Sequence, residues 1–419
     1  MNLNSQQSGS GQRPKRVLLI GRQFWPHAAD SALYLYELAC ALHRNGVHVE
    51  VLTPRYASSW PEEMAIREIA VHRPVIAPRS DWSVGRYVRS LTQWLRTHSE
   101  SFDVMLVDAI REEAMAAIEA QRSTNCPTVL RCSHWGELRD THWWSTGRSA
   151  RRCGSVGKMA SAVVAKSAGC QRALLADGFK ADRGFRIDNG FASGTATTAS
   201  SRLQARRNLA VVNSDLATSE ETPVVLCTAR MTREGGVNLM VRAARHLIAK
   251  YPDLRLWFVG DGPHRDWIYE SLRADGLRAS IAMPGSFCDL SDLLAAADAF
   301  VQTDIEGLDS ILPSVVSAEI PIVSIDNEST RSILGLPDGD PSDEVQWCPL
   351  ATAKSFRIGL VKVLDDLPAA RTRAVELRKK LVRARPHSAS VADYLGLMDQ
   401  LIRGESDDQN NNNSIKAVS

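Results

Sequence analysis

The sequence lacks the features that mark several common protein classes. Its eight cysteines are scattered singly without a CxxC pair, which argues against zinc and against a disulfide framework, and favours a reducing cytoplasm. Its longest apolar runs have the length of a strand, far below the ~20 residues of a membrane-spanning helix. The formal net charge of +2 gives no reason to expect nucleic acid as a partner. We therefore predict a soluble cytoplasmic protein, with peripheral membrane contact left open.

The chain is long enough for two domains. Its 419 residues exceed one ordinary domain and fit two of roughly 200 residues each. The Ser/Gln/Gly-rich start, residues 1–14, has no apolar core after its charges, so we expect a disordered tail and not a signal peptide. The Asn-rich end, residues 404–419, is expected to be a second disordered tail.

Between the tails, short apolar runs alternate with amphipathic segments. RVLLIGR predicts a strand, SALYLYELACALHRNG a helix and VHVEVLTP the next strand, which is typical of a parallel sheet covered by helices. This alternation of apolar runs and amphipathic segments continues to residue 190. It weakens in the Ser/Thr/Ala-rich stretch 191–222 and begins again at TPVVLCTAR. We predict an α/β protein with two tandem, doubly wound, Rossmann-like domains, 15–190 and 223–386, and a terminal helix at 387–403. The stretch 191–222 is predicted to be a connection with one helical patch.

The first loop of interest is TARMTREGGVNLM, between a strand and a helix of the second domain. Ligands of such sheets bind at the carboxyl ends of strands. Arg230 lies at the strand end, and Gly235 and Gly236 precede the helix, where free backbone N–H groups attract anions. The arginine could clamp phosphate oxygens. The plainer alternative is a loop with solvated arginines and a glycine cap.

Two more loops follow the next strands in the same way. VGDGP places Gly260 and Gly262 after one strand, although glycine and proline there are also ordinary turn residues. DIEGLDSILPS places Glu306-Gly307 after another strand, with Ser310 as a predicted helix cap and Pro313 in the first helical turn. A carboxylate at Glu306 could bind sugar hydroxyls, or it could be a surface residue of a turn.

These three loops, in this order, resemble the donor-binding domain of the group 1 glycosyltransferases with the GT-B fold. That family carries a glycine-arginine pair with a glutamate-lysine-glycine loop, then VGDGP, then two glutamates separated by seven residues. This chain has Ala229-Arg230, an intact VGDGP and Glu306. Asn189-Gly190 resembles an asparagine-glycine turn of the family's first domain. The resemblance implies two Rossmann-like domains facing across a cleft.

The resemblance also implies an activity. It is transfer of a hexose from a nucleoside-diphosphate sugar to a hydroxyl of a saccharide or lipid-linked acceptor, in polysaccharide or cell-envelope synthesis, with retention of configuration and without metal or cofactor. Glu306 would orient the sugar, and Ser314 would contact the ribose. The donor-binding residues implied are Arg230, Arg233, Gly235, Gly236, Gly260, Gly262, Gly307 and Ser314. His134 falls where the family often has a histidine near the transferred sugar, although a lone histidine is commonly structural.

The chain departs from the family pattern at four places. Gly235 occupies the position of the lysine that neutralises the diphosphate, which leaves Arg230 and its neighbour Arg233 for that role. Ser314 replaces the second glutamate, and Arg331 lies near an acidic position of the following loop. The glycine pair of the first domain is Ala28-Ala29. These losses favour an alternative, a catalytically degenerate relative that serves as a binding or partner subunit.

The segment HWGELRDTHWWSTGRSARR is the most aromatic and basic part of the first domain. Stacking on sugar rings or contact with a lipid surface and its phosphates would explain it, and so would packing of tryptophans between loop and sheet. We assign it to the acceptor side, with Trp135 and Arg148 as its candidates and with Trp143, Trp144, Arg151 and Arg152 beside them.

Two other enzyme classes fit the sequence poorly. A Rossmann-type NAD enzyme needs GxGxxG after its first strand, whereas RVLLIGRQFWP contains only Gly21. A metal-dependent transferase could use Asp338 and Asp340 of LPDGDPSD. A turn explains that Pro/Gly/Asp run better, so we predict no metal site.

Overall fold

The chain folds into two compact units. A computed structural model describes residues 16–133, 139–194, 197–304, 307–336 and 343–404. The first unit contains the described residues up to Gln23, Leu35–Asp188, and those from Ser390 onward. The second unit contains Phe24–Tyr34 and Asn189–Ala389. The first unit therefore takes in most of the terminal helix, and the second takes in the loop before residue 35.

The first unit is built on a mostly parallel sheet. Its strands are β1 (Arg16–Gly21), β2 (His48–Leu52), β3 (Glu63–Ile66), β4 (Ile69–His72), β5 (Val104–Asp108), β6 (Thr128–Arg131), β7 (Ala162–Ala165) and β8 (Gly184–Arg186). Within the described ranges they form one eight-stranded sheet in the order β3-β4-β2-β1-β5-β6-β7-β8. Among the strands that the structure describes, only the pair β3–β4 is antiparallel. The central strands are buried along nearly their whole length, as the continuous apolar runs of a covered parallel sheet require.

Helices connect these strands. They are α1 (Asp30–Arg44), α2 (Asp81–His98), α3 (Glu112–Gln121), α4 (Asp140–Trp143), α5 (Arg148–Gly157) and α6 (Ala168–Ala176). The strands predicted from RVLLIGR (16–22), VHVEVLTP (47–54) and TVLRCS (128–133) are confirmed, as β1, β2 and β6. The sequence pattern predicts no element between residues 55 and 100, where the structure has β3, β4 and α2. The short β3–β4 pair is half exposed and so carries no strong apolar run.

The second unit is a fully parallel sheet. Its strands are β9 (Val224–Thr228), β10 (Arg255–Val259), β11 (Ile281–Gly285), β12 (Ala299–Gln302), β13 (Ile322–Ile325) and β14 (Gln346–Cys348). In the described part of the chain their order is β11-β10-β9-β12-β13-β14. The strands β10, β9 and β12 are therefore neighbours, and the loops that leave their carboxyl ends meet at one edge.

The remaining helices are α7 (Ala199–Val212), α8 (Val237–Lys250), α9 (Arg265–Ala274), α10 (Ser291–Ala296), α11 (Ile311–Ser317), α12 (Glu328–Leu334), α13 (Ala353–Asp365), α14 (Leu367–Ala384) and α15 (His387–Arg403). Helix α7 falls in the stretch predicted as a weakly periodic connection. Its apolar period is broken because Arg206, at a buried position, binds Asp298 at 3.0 Å. No helix in the described ranges combines the length and the apolarity that a membrane crossing needs.

Candidate functional site

Three loops of the second unit pack against one another through their backbones. The loop after β9 meets the loop after β10, where the N–H of Met231 donates to the carbonyl of Asp261 at 2.9 Å and the N–H of His264 donates to the carbonyl of Met231 at 2.9 Å. It also meets the end of β12, where the Thr303 hydroxyl donates to the carbonyl of Gly235 at 2.8 Å. The three segments chosen from the sequence thus form one assembly.

The glycines of these loops are required by this close packing. A Cβ atom added at any of them would lie far inside contact distance of a neighbouring backbone oxygen. The distance from the added Cβ to the carbonyl oxygen would be 1.9 Å for Gly235 and Arg230, and 2.7 Å for Gly236 and Thr303. It would be 2.1 Å for Gly260 and Ala229, and 2.5 Å for Gly262 and Met231. The position of the family lysine is therefore closed to a side chain in this loop conformation.

Arg230 forms a paired-ion contact that the sequence does not reveal. Its Nε and one terminal nitrogen each donate to the Asp304 carboxylate at 2.8 Å, a bidentate pair. The Asp304 side chain is 1% exposed and that of Arg230 is 26% exposed. The pair fixes the guanidinium at the loop edge and balances its charge. Asp304 was missed because an acidic residue just after a strand looks the same in sequence whether it is solvated or paired inside the fold.

Arg233 points toward the turn after β10. Its Nε lies 3.3 Å from His264 Nε2, and the Arg233 side chain is exposed. The neighbouring Thr232 hydroxyl accepts from the N–H of Gly235 at 3.1 Å, which holds the loop closed. Arg233 thus supplies a cation next to the VGDGP turn, whereas Gly235 supplies backbone only.

Helix α11 begins at Ile311, with Ser310 at its cap position as predicted. The predicted capping bond is wrong, because among the described residues the Ser310 side chain makes no cap hydrogen bond. The backbone N–H of Ser310 donates instead to the Asp30 carboxylate at 2.8 Å. Ser314 lies one turn into α11 and is partly buried, and Gly307 has a φ of 92°.

Arg331, which sits near an acidic position of the family, is an internal residue here. Its guanidinium binds the Asp326 carboxylate through two nitrogens. The same group lies 4.5 Å above the Trp347 ring, a cation–π contact. Arg331 is only 4% exposed, and its contacts join the loop after β13 to the strand β14.

The acceptor-side residues of the first unit separate into two groups. Trp144 is buried, its Nε1 donates to the carbonyl of Ile110 at 2.9 Å, and its ring stacks on Phe179. The expectation that Trp144 contacts a sugar or a lipid is therefore wrong, because its indole fills the core. Trp143 is half buried under the guanidinium of Arg111. Arg148 is exposed at the start of α5.

The exposed face of α5 is strongly basic. It carries Arg148, Arg151 and Arg152, and Lys158 follows at its end. Glu119 lies 3.6 Å from Arg152. These four cations define the basic face of α5. Its three arginines belong to the predicted acceptor segment and lie at the surface.

Several predicted residues lie outside the described residues. They are the two candidate catalytic residues Glu306 and His134, the acceptor candidate Trp135, and Asp338 and Asp340 of the alternative metal motif. Among the residues that the structure describes, no group of three or more His, Cys, Asp or Glu side chains could hold a metal ion. All eight cysteines are described, and no disulfide joins any two of them.

Family models match both halves of the chain. Residues 31–190 match the model described as Glycosyl transferase 4-like domain. Residues 222–365 match the model described as Glycosyl transferases group 1. The second match includes all three loops of the candidate site and the whole of the pair Arg230–Asp304.

Two curated relatives from Rhizobium meliloti (strain 1021) are similar to parts of this chain. Lipopolysaccharide core biosynthesis glycosyltransferase LpsE is 26% identical over 171 residues, which are 41% of this chain and 47% of the relative. Lipopolysaccharide core biosynthesis glycosyltransferase LpsD is 28% identical over 208 residues, 47% of this chain and 55% of the relative. The chain thus spans about half the length of these curated relatives.

A solved structure matches over nearly the full length. The Anabaena protein Alr3699/HepE, crystallised in complex with UDP and glucose, superposes with a TM-score of 0.68 and 18% identity. The match covers 91% of this chain and 98% of that chain. At this identity the likeness concerns the fold, two α/β domains with parallel sheets.

Proposed function

This chain belongs to the group 1 glycosyltransferases with the GT-B fold, and we propose that it transfers a hexose from a nucleoside-diphosphate sugar to an acceptor hydroxyl. The observation that carries the proposal is the packed assembly of three loops at the carboxyl ends of β9, β10 and β12. It brings Arg230, Arg233 and the VGDGP turn to one edge of the sheet, where ligands of doubly wound folds bind.

The proposed donor site neutralises the diphosphate without the family lysine. Arg230 meets the diphosphate as a preoriented donor, because the bidentate contact with Asp304 fixes the plane of its guanidinium. Asp304 also offsets part of its positive charge, so Arg233 beside His264 contributes the remaining cation. Ser314 gives the ribose a neutral hydrogen bond, which is weaker than one to a carboxylate. Glu306 and His134 keep their predicted roles beside the transferred sugar.

The acceptor is proposed to be a saccharide or lipid-linked glycan of the cell envelope. The names of the two Rhizobium relatives place them in lipopolysaccharide core biosynthesis. The basic face of α5 suits an acceptor or a surface that carries phosphate. We propose no cofactor and no metal beyond the nucleotide sugar itself.

Calorimetric titration of the full chain with UDP, GDP and ADP tests the donor proposal. Micromolar binding of one nucleotide is expected and would identify the base. Turnover is then measured with the matching nucleotide sugars by release of that nucleotide. If a folded protein binds none of the three, the donor proposal is wrong and the non-catalytic alternative takes its place.

Charge reversal on α5 tests the membrane contact. We expect the double substitution Arg148→Glu/Arg151→Glu to weaken binding to vesicles containing phosphatidylglycerol by more than tenfold, since each surface cation near anionic lipid contributes about 1 kcal/mol. Co-sedimentation with these vesicles, and with neutral phosphatidylcholine vesicles, measures the effect. The matched control is Arg207→Glu/Arg383→Glu, which makes the same charge change at exposed positions of the second unit. Equal loss in both variants would assign the effect to net charge and contradict a docking face on α5.

A further inference from the structure

A buried carboxylate of the second unit binds three successive backbone N–H groups. Asp30 accepts from the N–H of Asp309 at 2.9 Å, of Ser310 at 2.8 Å and of Ile311 at 3.2 Å. The Asp30 residue is 7% exposed. It lies 279 positions or more from these partners in the chain, directly after the alanines that replace the family's glycine pair.

The same segment is held from a second side. The Asn189 side-chain amide donates to the carbonyl of Asp309 at 3.0 Å and to its carboxylate at 3.2 Å. Asn189 is itself 5% exposed. Asp309 is therefore bound at its N–H by Asp30, and at its carbonyl and one carboxylate oxygen by Asn189. The two contacts fix the backbone at the entrance to α11.

The contact takes the place of an ordinary helix cap. The first N–H groups of a helix have no partner within it and need an acceptor. Ser310 stands at the cap position, but its side chain does not act as that acceptor. The Asp30 carboxylate, from a remote part of the sequence, is the acceptor instead. Hydrogen bonds to a charged acceptor are roughly twice as strong as neutral ones. Asp30 is thus the group that determines the position of residues 309–311.

We propose that Asp30 is a positioning residue of the donor site, whose carboxylate fixes the segment from Gly307 to Ser314 in the conformation that binds the nucleotide sugar. The inference rests on the proposed function, because that segment follows Glu306 and ends at the residue assigned to the ribose. Asp30 acts through the backbone it holds and does not contact the donor.

The ionisation of Asp30 provides a signature of this role. Burial, and then the charge of the neighbouring Asp309 carboxylate, raise the pKa of Asp30 to about 6, against the opposing effect of its three backbone bonds. Since the pKa in the folded state is above its ordinary value, protonation stabilises the fold, and that contribution is lost as the pH rises through about 6. Opening of residues 309–311 follows the same linkage, because it returns Asp30 to water and to its ordinary pKa, so protonation below about pH 6 favours the closed segment.

Hydrogen exchange of the full chain, read by mass spectrometry on peptides that cover 307–317, tests the inference. In Asp30→Ala we expect at least about tenfold faster exchange in this segment, corresponding to the loss of charge-assisted bonds. In the wild type, exchange corrected for its intrinsic rate should slow as the pH falls through about 6, because protonation of Asp30 favours the closed segment. Asp30→Asn, which keeps one acceptor oxygen and cannot ionise, should show an intermediate rate without that step. If Asp30→Ala does not fold, the comparison of Asp30→Asn with the wild type tests the inference.

Nucleotide affinity completes the test, measured with whichever of UDP, GDP and ADP the wild type binds. We expect Asp30→Ala to bind that nucleotide about tenfold more weakly than the wild type, while Asp366→Ala, which removes an aspartate cap from α14 in the same unit, leaves the affinity unchanged. Unaltered exchange in 307–317 would overturn the inference, and so would unaltered nucleotide affinity beside faster exchange. A wild type that binds no nucleotide would instead refute the proposed function, and hydrogen exchange would still decide whether Asp30 holds the segment.

Discussion

Replacing Arg230 with alanine is expected to lower both the affinity for UDP and the free energy of unfolding. The substitution removes the partner of Asp304, whose side chain is 1% exposed, and leaves that carboxylate buried without its bidentate contact. Breaking a buried pair from one side costs about 3–5 kcal/mol. Because Arg230 itself is 26% exposed, we expect the lower end of that range. UDP loses a charged donor, which corresponds to about 2 kcal/mol, or a thirtyfold weaker affinity.

A second variant separates the two effects. In Arg230→Ala/Asp304→Ala no carboxylate is stranded, so most of the lost stability should return while the UDP affinity stays low. Urea denaturation gives the free energy of unfolding, and calorimetry gives the affinity. Arg245→Ala is the matched control, since Arg245 pairs with Asp275 at 3.0 Å while both side chains are exposed, and such surface pairs contribute about 1 kcal/mol or less. Full UDP affinity in the double variant would show that Arg230 serves the fold and not the donor.

Restoring the family lysine is expected to damage the protein. In Gly235→Lys the new Cβ would start 1.9 Å from the carbonyl oxygen of Arg230 and 3.4 Å from the Asp304 carboxylate. The loop must move to admit it, and overpacking of this kind costs about 1–3 kcal/mol. The movement also displaces Arg230, so we expect weaker UDP binding in spite of the added cation. Thermal unfolding and UDP titration measure the two effects.

Smaller substitutions show whether the backbone contact is the cause. Gly235→Ala should lose nearly as much stability as Gly235→Lys, because the clash arises at Cβ. By contrast, a Cβ on Gly396 in α15 meets nothing within 4 Å, so Gly396→Ala should gain roughly 0.5–1 kcal/mol, as expected for alanine in a helix. A Gly235→Lys protein that is as stable as the wild type and binds UDP more tightly would mean that the loop has a second conformation with room for lysine.

The close packing at Gly235 changes the interpretation of the missing lysine. From sequence the position is simply vacant, and Arg233 is the candidate to fill it. In the structure the vacancy is a close approach of two backbone segments, and Arg233 reaches the turn after β10 beside His264. The loss of the lysine and the tight loop are thus one feature. The proposed donor site compensates with cations placed around the glycine and not on it.

Local patterns in the sequence were enough to predict the fold and the location of the candidate site. Apolar runs such as RVLLIG and VVLCT read directly as covered parallel strands, because burial on both faces leaves a local signature in the chain. Turn glycines after those strands marked the loops in the same way. Helix α7 was weakly visible because its buried Arg206 hides the apolar period. Local signals were sufficient wherever the cause of the structure is local.

The partners of the site residues follow from tertiary packing and were not predictable from the sequence. The pairing of Arg230 with Asp304 joins positions 74 residues apart, and that of Asp30 with Asp309 joins positions 279 apart. Neither follows from periodicity, since both depend on the order of the strands and on the packing of the loops that leave them. The burial of Trp144 and the closure of the lysine position at Gly235 have the same origin. The sequence gives the type of each side chain. Its partner depends on which distant segment the fold places next to it.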